Sequence, residues 1–407
     1  MRGRRRPLLA AGTGLAVIGA LGAFSAGRTF GAPVALGTPV ILGTSVTPSA
    51  PGADRPGYAP VTIGHDLVFP ADHGSHPAFR TEWWYITGWL TARGGEAPGG
   101  EPLGFQITFF RSRPDLTGDN PSAFTPGQLI IVHCALSDPR RGRLWQDQRV
   151  RRAGMGLAAA EPGDTHVWAD DWSLARKTPP NGTAAAADAP YVANLVAEDF
   201  SLQLEFTPTQ APMLNGSRGY SRKGPAAESA SYYYSIPHLR VSGRVTRGVG
   251  GRAEAVAGEA WLDHEWSSEY LDSRAVGWDW IGIDLDDGAA LMAFRIRGED
   301  GGTRWAGGTL RDSAGRTEPL DTADVAFTAM RWWRSPQTGI RYPIEWSVRA
   351  GSRQLVLKPL MDDQENDTRF STGAIYWEGA VRAYSDSREV GRGYLELTGY
   401  GEKLKLR

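Results

Sequence analysis

Cysteine is nearly absent from this 407-residue chain, where Cys134 is the single example. One thiol excludes a disulfide framework and any zinc or iron–sulfur centre built from cysteines. It also excludes a lipid-bearing cysteine after the N-terminal apolar run. An excess of charge is lacking too, because Lys+Arg 44 against Asp+Glu 45 leaves a net charge of −1. That balance argues against a partner held by phosphate attraction, so no nucleic acid is expected. Only five of the basic residues are Lys, and the arginine abundance reads as genome composition. Several catalytic signatures are missing: G-x-S-x-G, the P-loop and H-E-x-x-H do not occur. Gly248 to Ala253 fits G-x-G-x-x-A, but no helix pattern follows it, so it reads as a turn. No stretch keeps a 3.6-residue period between two caps, and no repeat of about 20–50 residues is visible.

What is present is turn residues and large aromatics. Gly 51 and Pro 27 accompany 15 Trp, the largest apolar side chain available. A chain of this length exceeds what one hydrophobic core usually serves, so two domains are expected. From residue 61 the periodicity is two. Thr81 to Leu90, Phe105 to Arg111, Leu129 to Leu136 and Phe200 to Phe206 read as strands in the first half. Ala260 to Trp266, Trp278 to Leu285, Ala290 to Arg297, Tyr342 to Val348, Leu355 to Leu360, Ile375 to Ala383 and Tyr394 to Tyr400 continue the pattern. Asp286-Asp287-Gly288 between two of these predicts a tight hairpin. Many short strands with frequent turns predict an all-β protein of barrels or sandwiches. The polar stretches Thr178 to Pro190 and Arg218 to Ser231 read as loops. Ile236-Pro237 places the boundary near residue 235, giving domains 61–235 and 236–407.

The N-terminus reads as an address. Arg2, Arg4, Arg5 and Arg6 precede an apolar run from Leu8 to about Phe24, the pattern of an export signal and compatible with the twin-arginine route. Residues 1–30 are therefore an export signal or an uncleaved anchor, and 31–60 a Pro-, Gly- and Ser-rich linker. The expected location is periplasmic or secreted, with a membrane-surface association allowed.

Three constellations carry chemistry. Asp72-His73-Gly74-Ser75-His76-Pro77 offers two His and an acid, yet no third and fourth ligand is evident, so no metal is expected there. Glu82 shares a strand face with Trp84, Ile86 and Leu90, while Trp83, Tyr85 and Trp89 fill the other. Both faces being apolar, Glu82 should be buried, with Arg80 or Arg111 as partner. In Ala260 to Ser268, His264 lies with Leu262 and Trp266 on the more apolar face, and Asp263 and Glu265 lie opposite. In Trp278 to Leu285, Asp279 alternates with Ile281, Ile283 and Leu285, a setting that raises the pKa of an unpaired acid.

DHGSHPAFRTEWWYITG, GFQITFFR, AWLDHEWSS, GWDWIGIDLDDG and the closing GYLELTGY resemble the exported AttH-like proteins, which are related to the carotenoid 1,2-hydratases. The resemblance covers about residues 65–400. It implies two tandem lipocalin-like (calycin) β-barrels and a deep apolar pocket for an isoprenoid-like ligand. Hydration of an alkene would then make Asp279 the acid and His264 the base or proton shuttle. Trp266, Trp278 and Trp280 would stabilise positive charge, and Tyr85 or Tyr234 would position water. Glu82 and Trp84 join this expected pocket, and no cofactor is required. Glu265, on the opposite strand face, is expected to matter little. A carrier of a lipophilic ligand and a secreted hydrolase remain the alternatives.

Overall fold

The computed structural model describes residues 57–92, 101–114, 127–177 and 189–404. The export signal, nearly all of the linker, and residues 178–188 lie outside the described residues. Within them the regular elements are strands, apart from one 3-10 turn at Ala71–His73. No described helix is long and apolar enough to cross a membrane.

The first sheet begins with β1 (Thr81–Ala92), β2 (Leu103–Ser112), β3 (Leu129–Ser137) and β4 (Trp145–Arg152). Shorter strands follow: β5 (Ala158–Ala160), β6 (His166–Ala169), β7 (Trp172–Arg176), β8 (Tyr191–Val196) and β9 (Phe200–Thr207). Then come β10 (Met213–Leu214), β11 (Tyr220–Arg222), β12 (Ala230–Arg247) and β13 (Glu254–Ser267). Their order is β4-β3-β2-β1-β13-β12-β9-β8-β7-β6-β5, with β10 and β11 on β12. The two ends return against each other through β3, β4, β5 and β6, which nearly closes a barrel.

The second sheet starts with β14 (Ala275–Leu285), β15 (Ala290–Gly298), β16 (Thr303–Arg311), β17 (Thr317–Leu320) and β18 (Val325–Arg334). It ends with β19 (Arg341–Ala350), β20 (Arg353–Pro359), β21 (Glu365–Thr368), β22 (Ala374–Ser385) and β23 (Arg388–Leu397). The order is β17-β16-β15-β14-β23-β22-β20-β19-β18, and β18 comes back against β15 and β16. The architecture is therefore all-β, with two lipocalin-like barrels; closure removes the exposed edges that open sheets must protect.

The sheets change over between Ser267 and Ala275, not near residue 235. Residue 235 lies inside β12, where Ile236-Pro237 begins a bulge: the register against β13 shifts between Ile236 and Leu239, and His238 has φ 54°. A proline without an N–H fits such an interruption, so a residue pair that resembled a boundary is a bend within one strand. The loop expected at Arg218 to Ser231 likewise contains β11. The Asp286-Asp287-Gly288 hairpin forms as expected, with Gly288 at φ 84° between β14 and β15.

Alternation sorts the aromatic residues into three clusters. Trp84, Ile86 and Leu90 of β1 enter the first barrel's core, and Ile281, Ile283 and Leu285 of β14 enter the second. The opposite faces of these strands carry Trp83, Tyr85 and Trp89, and Trp278 and Trp280, into a third cluster. Each such ring contributes roughly 2–3 kcal/mol when fully buried, so this seam is a sizeable share of what docks the barrels. At Gly104 a Cβ would stand 2.6 Å from Ala380 Cβ and 2.9 Å from the Tyr394 hydroxyl, so glycine lets the barrels touch there.

Candidate active site

The seam between the barrels is not filled. A cavity of about 280 Å³ is walled by Trp83, Tyr85, Phe110, Ile131 and Tyr233 from the first barrel and by Trp278, Trp280, Phe294 and Ile296 from the second. Into this apolar setting project Asp263, Glu265, Lys223, Glu378 and Glu396. Strand alternation places them there. Trp377 and Leu395 point into the second core, so Glu378 and Glu396 point out of it, toward the first barrel.

Glu378 and Glu396 sit opposite each other on β22 and β23. Glu378 is 2% exposed, and both of its carboxyl oxygens are buried with no well-aligned hydrogen bond, the Tyr85 and Tyr376 hydroxyls being the polar groups turned toward it. The Tyr85 hydroxyl is buried too, and its interaction with Glu378 lowers the acid's pKa only in part. Burial, followed by the facing Glu396 carboxylate, pushes Glu378 well above the ordinary carboxylate range. Burial also pushes Glu396 up to about 7, although the Trp278 indole donates to its Oε2 at 3.0 Å. Glu396 keeps some accessible surface because it borders the cavity.

Polar groups on the first barrel complete the cleft. Asp263 accepts from Tyr233 OH at 2.6 Å, Ser235 Oγ at 2.5 Å and Trp261 Nε1 at 2.6 Å. Burial nonetheless pushes Asp263 up to about 7. The Trp280 indole donates to the Tyr233 hydroxyl at 3.0 Å, tying the two barrels through one phenol. Lys223 Nζ lies 2.8 Å from Glu265 Oε1 and over the rings of Tyr233 and Phe294. Burial lowers the pKa of this ammonium, and Glu265 opposes the shift.

The residues singled out from sequence divide into three places. Tyr85, Trp278 and Trp280 wall the cleft. His264, Trp266, Trp84 and Tyr234 belong to the interior of the first barrel, and Glu82, which also borders the cavity, turns its carboxylate to the same interior. There Glu82 is fully buried and accepts from Arg111 Nε at 2.7 Å, the second of the two partners considered for it. His264 Nε2 lies 2.9 Å from Glu82 Oε1, and its Nδ1 lies 3.1 Å from the Tyr234 hydroxyl. Although burial opposes it, hydrogen bonds from His264 and His76 and the Arg111 charge hold Glu82 below the usual carboxylate range.

Asp279 is in neither place. It is fully buried on the inner face of β14, as its alternation required, but it is not an isolated acid. It accepts from Arg295 Nε at 2.6 Å, Arg297 Nε at 3.2 Å and Tyr400 OH at 2.9 Å. Two guanidiniums neutralise the charge that an apolar environment alone would have suppressed. His264 and Asp279 thus face the interiors of different barrels and are not brought together. The cleft uses the other faces of their strands, so Glu265, expected to be idle, faces the cavity with Asp263. Sequence reasoning missed Glu378 and Glu396 altogether. The available signal was Tyr376-x-Glu378 and Tyr394-x-Glu396, an aromatic and an acid sharing the face that an exposed barrel would give to water.

The AttH-like family model matches residues 60–400. Among solved structures, a Nitrosomonas europaea protein assigned to AttH is 52% identical, with a TM-score of 0.76 over 84% of this chain and 100% of that one. The kievitone hydratase of Nectria haematococca has a TM-score of 0.59 at 15% identity, over 85% of this chain and 96% of that one. The second likeness is one of fold. No curated protein matches the sequence.

Proposed function

The chain belongs to the AttH-like family, and on that premise we propose that its inter-barrel cleft hydrates a carbon–carbon double bond of a lipophilic, isoprenoid-like molecule by acid–base catalysis. One observation carries the reading: Glu378 is a buried carboxyl with no cation beside it, only the Tyr85 and Tyr376 hydroxyls, raised well above the ordinary carboxylate range and facing an aromatic cavity beside a second carboxyl.

An alkene is a very weak base, so its protonation needs a neutral acid placed against it and surroundings that tolerate the cation. Glu378 supplies the proton to the less substituted carbon and becomes a carboxylate. The tertiary cation forms between that new anion and the faces of Trp83, Trp280 and Phe294. Water adds to the cation, and its surplus proton passes to the Glu396 carboxylate. Glu396 lies ~5 Å across the strand pair from Glu378, close enough to return the proton and restore the acid. Alkene and water give a tertiary alcohol, with no electron transfer and no group left over. A pKa of about 7 suits Glu396 to both accepting and releasing that proton near neutrality.

The test is incubation with an acyclic isoprenoid alkene in isotopically labelled water, read by mass spectrometry. The wild type should add one water, and Glu378→Gln should lower turnover by ~10²–10⁴-fold while Trp quenching reports similar ligand affinity. Saturable quenching with no hydrated product in the wild type would overturn hydration and leave a carrier. Unchanged turnover in Glu378→Gln would overturn the assignment of the acid. We place the activity outside the cytoplasm, periplasmic or secreted, on the strength of the Arg2–Arg6 cluster and the apolar run after it.

A further inference from the structure

We propose that His76, Glu82 and His264 form a site for a divalent transition-metal ion, of which Zn²⁺ fits best, in the interior of the first barrel, behind the stretch of cleft wall that Glu82 and Arg111 line. His76 Nδ1, Glu82 Oε1 and His264 Nε2 all lie within 4.8 Å of one another. Two imidazoles and one carboxylate make the borderline donor set that zinc takes with a further position left over. The Asp72-His73-x-x-His76 segment lacked further ligands when read along the chain. The fold supplies them from β1 and β13, whose register sets Trp84 opposite His264 and Glu82 opposite Trp266.

The atoms that face away from the meeting point are each held by a second partner. His76 Nε2 lies 3.1 Å from Asp72 Oδ1, and His264 Nδ1 lies 3.1 Å from the Tyr234 hydroxyl. That hydroxyl in turn lies 2.7 Å from His73 Nδ1. Glu82 Oε2 takes the Arg111 Nε proton at 2.7 Å, leaving Oε1 turned to the histidines. Carboxylates and hydroxyls behind the ligands are what fix tautomer and ring orientation at metal centres. The donor count fits as well. With a metal at the centre, His76 donates Nε2–H to Asp72, His264 donates Nδ1–H to Tyr234, and Tyr234 donates to His73.

Packing holds the ligands where they are. Trp266 stacks on His76 at 3.7 Å and 6°, and Trp84 stacks on His264 at 4.6 Å and 24°. Arg111 Nη2 donates to the His76 and Phe79 carbonyls, tying the ligand-bearing loop to β2. His76 approaches Glu82 at 2.6 Å and His264 approaches it at 2.9 Å. Ligands at ~2.0–2.1 Å from a tetrahedral zinc stand ~3.3 Å apart, so filling the site needs His76 and His264 to draw back from Glu82 Oε1 by ~0.7 and ~0.4 Å. His76 is 15% exposed at its side chain, which gives an ion a way in.

The experiment uses the full chain, stripped with a chelator and then titrated separately with Zn²⁺ and Co²⁺. One equivalent of tightly held metal is expected, with a visible d–d absorption for tetrahedral Co²⁺. His76→Gln and His264→Gln should abolish uptake, and Asp72→Asn should weaken it by ~10–100-fold. His166→Gln, a change at an exposed histidine paired with Glu161, should keep full stoichiometry. Failure of the wild type to hold a stoichiometric Zn²⁺ or Co²⁺ would overturn the proposal, as would equal uptake by the His76 and His264 variants. The readout is metal content and absorption, so it is independent of whether the cleft hydrates anything.

Discussion

Replacing Asp279 by Asn should unfold the second barrel more readily, and it reaches the cleft only through the small share its charge has in raising Glu396. Asp279 is the common acceptor for two arginine side chains, of which Arg297 is 5% exposed and Arg295 is 14% exposed at the side chain. Asn keeps the outline but turns one acceptor oxygen into a donor, which then faces a guanidinium. Two positive charges stay buried with no counter-ion, beneath Trp346 and Tyr400. Breaking one partner out of a buried ion pair costs about 3–5 kcal/mol, a large part of the stability of an ordinary domain. Urea unfolding followed by Trp emission measures it. Asp279→Asn should lower the unfolding free energy by ~3–5 kcal/mol. Adding Arg297→Met should recover part of that, making the double change cost less than the sum of the singles by more than ~1 kcal/mol. Hydration per folded molecule should stay near the wild-type value. A variant as stable as the wild type but slowed 100-fold would refute this account and return Asp279 to catalysis.

Two further outcomes follow from groups described above. Glu396 holds its proton up to about pH 7 when folded, against an ordinary value of 4.5, so the folded state binds more protons in that window and stability falls as pH rises through it. The loss is at most ~3 kcal/mol and nearer ~2 because water reaches the cavity, and urea titrations at pH 5 and pH 8 should show a smaller fall in Glu396→Gln than in the wild type, the remainder coming from the other raised acids such as Asp263; an identical pH profile in the two proteins would contradict it. Export predicts that N-terminal sequencing of the protein from its native host starts between about residues 23 and 53; a cytosolic product beginning at Met1 would rule it out.

Much of the fold is legible in alternation alone. Thr81 to Leu90 shows apolar side chains on both faces, and β1 does bury both, one in a core and one in the seam. Glu82 could be recognised as buried and paired because a carboxylate among Trp84, Ile86 and Leu90 has no cheaper option. The site was harder for a physical reason. Period two tells which residues share a face, but not whether that face meets water, a core or another sheet. His264 and Asp279 were favoured because they sit on the apolar faces of their strands, and those faces are barrel interiors. Asp263, Glu265, Glu378 and Glu396 sit on faces whose polar residues resemble a solvated exterior. Only the docking of a second barrel turns that exterior into a cavity wall. The boundary near residue 235 failed for a related reason: a proline bulge and a domain end leave the same local mark.

The cavity belongs to neither barrel, since each contributes one wall and keeps its own core behind it. A molecule held there touches both walls at once, so its binding free energy is at the same time cohesion between the two halves. By mass action, a ligand present at a hundred times its dissociation constant would add ~2.7 kcal/mol against any motion that parts them. The seam therefore makes occupancy a kind of mortar between the two halves.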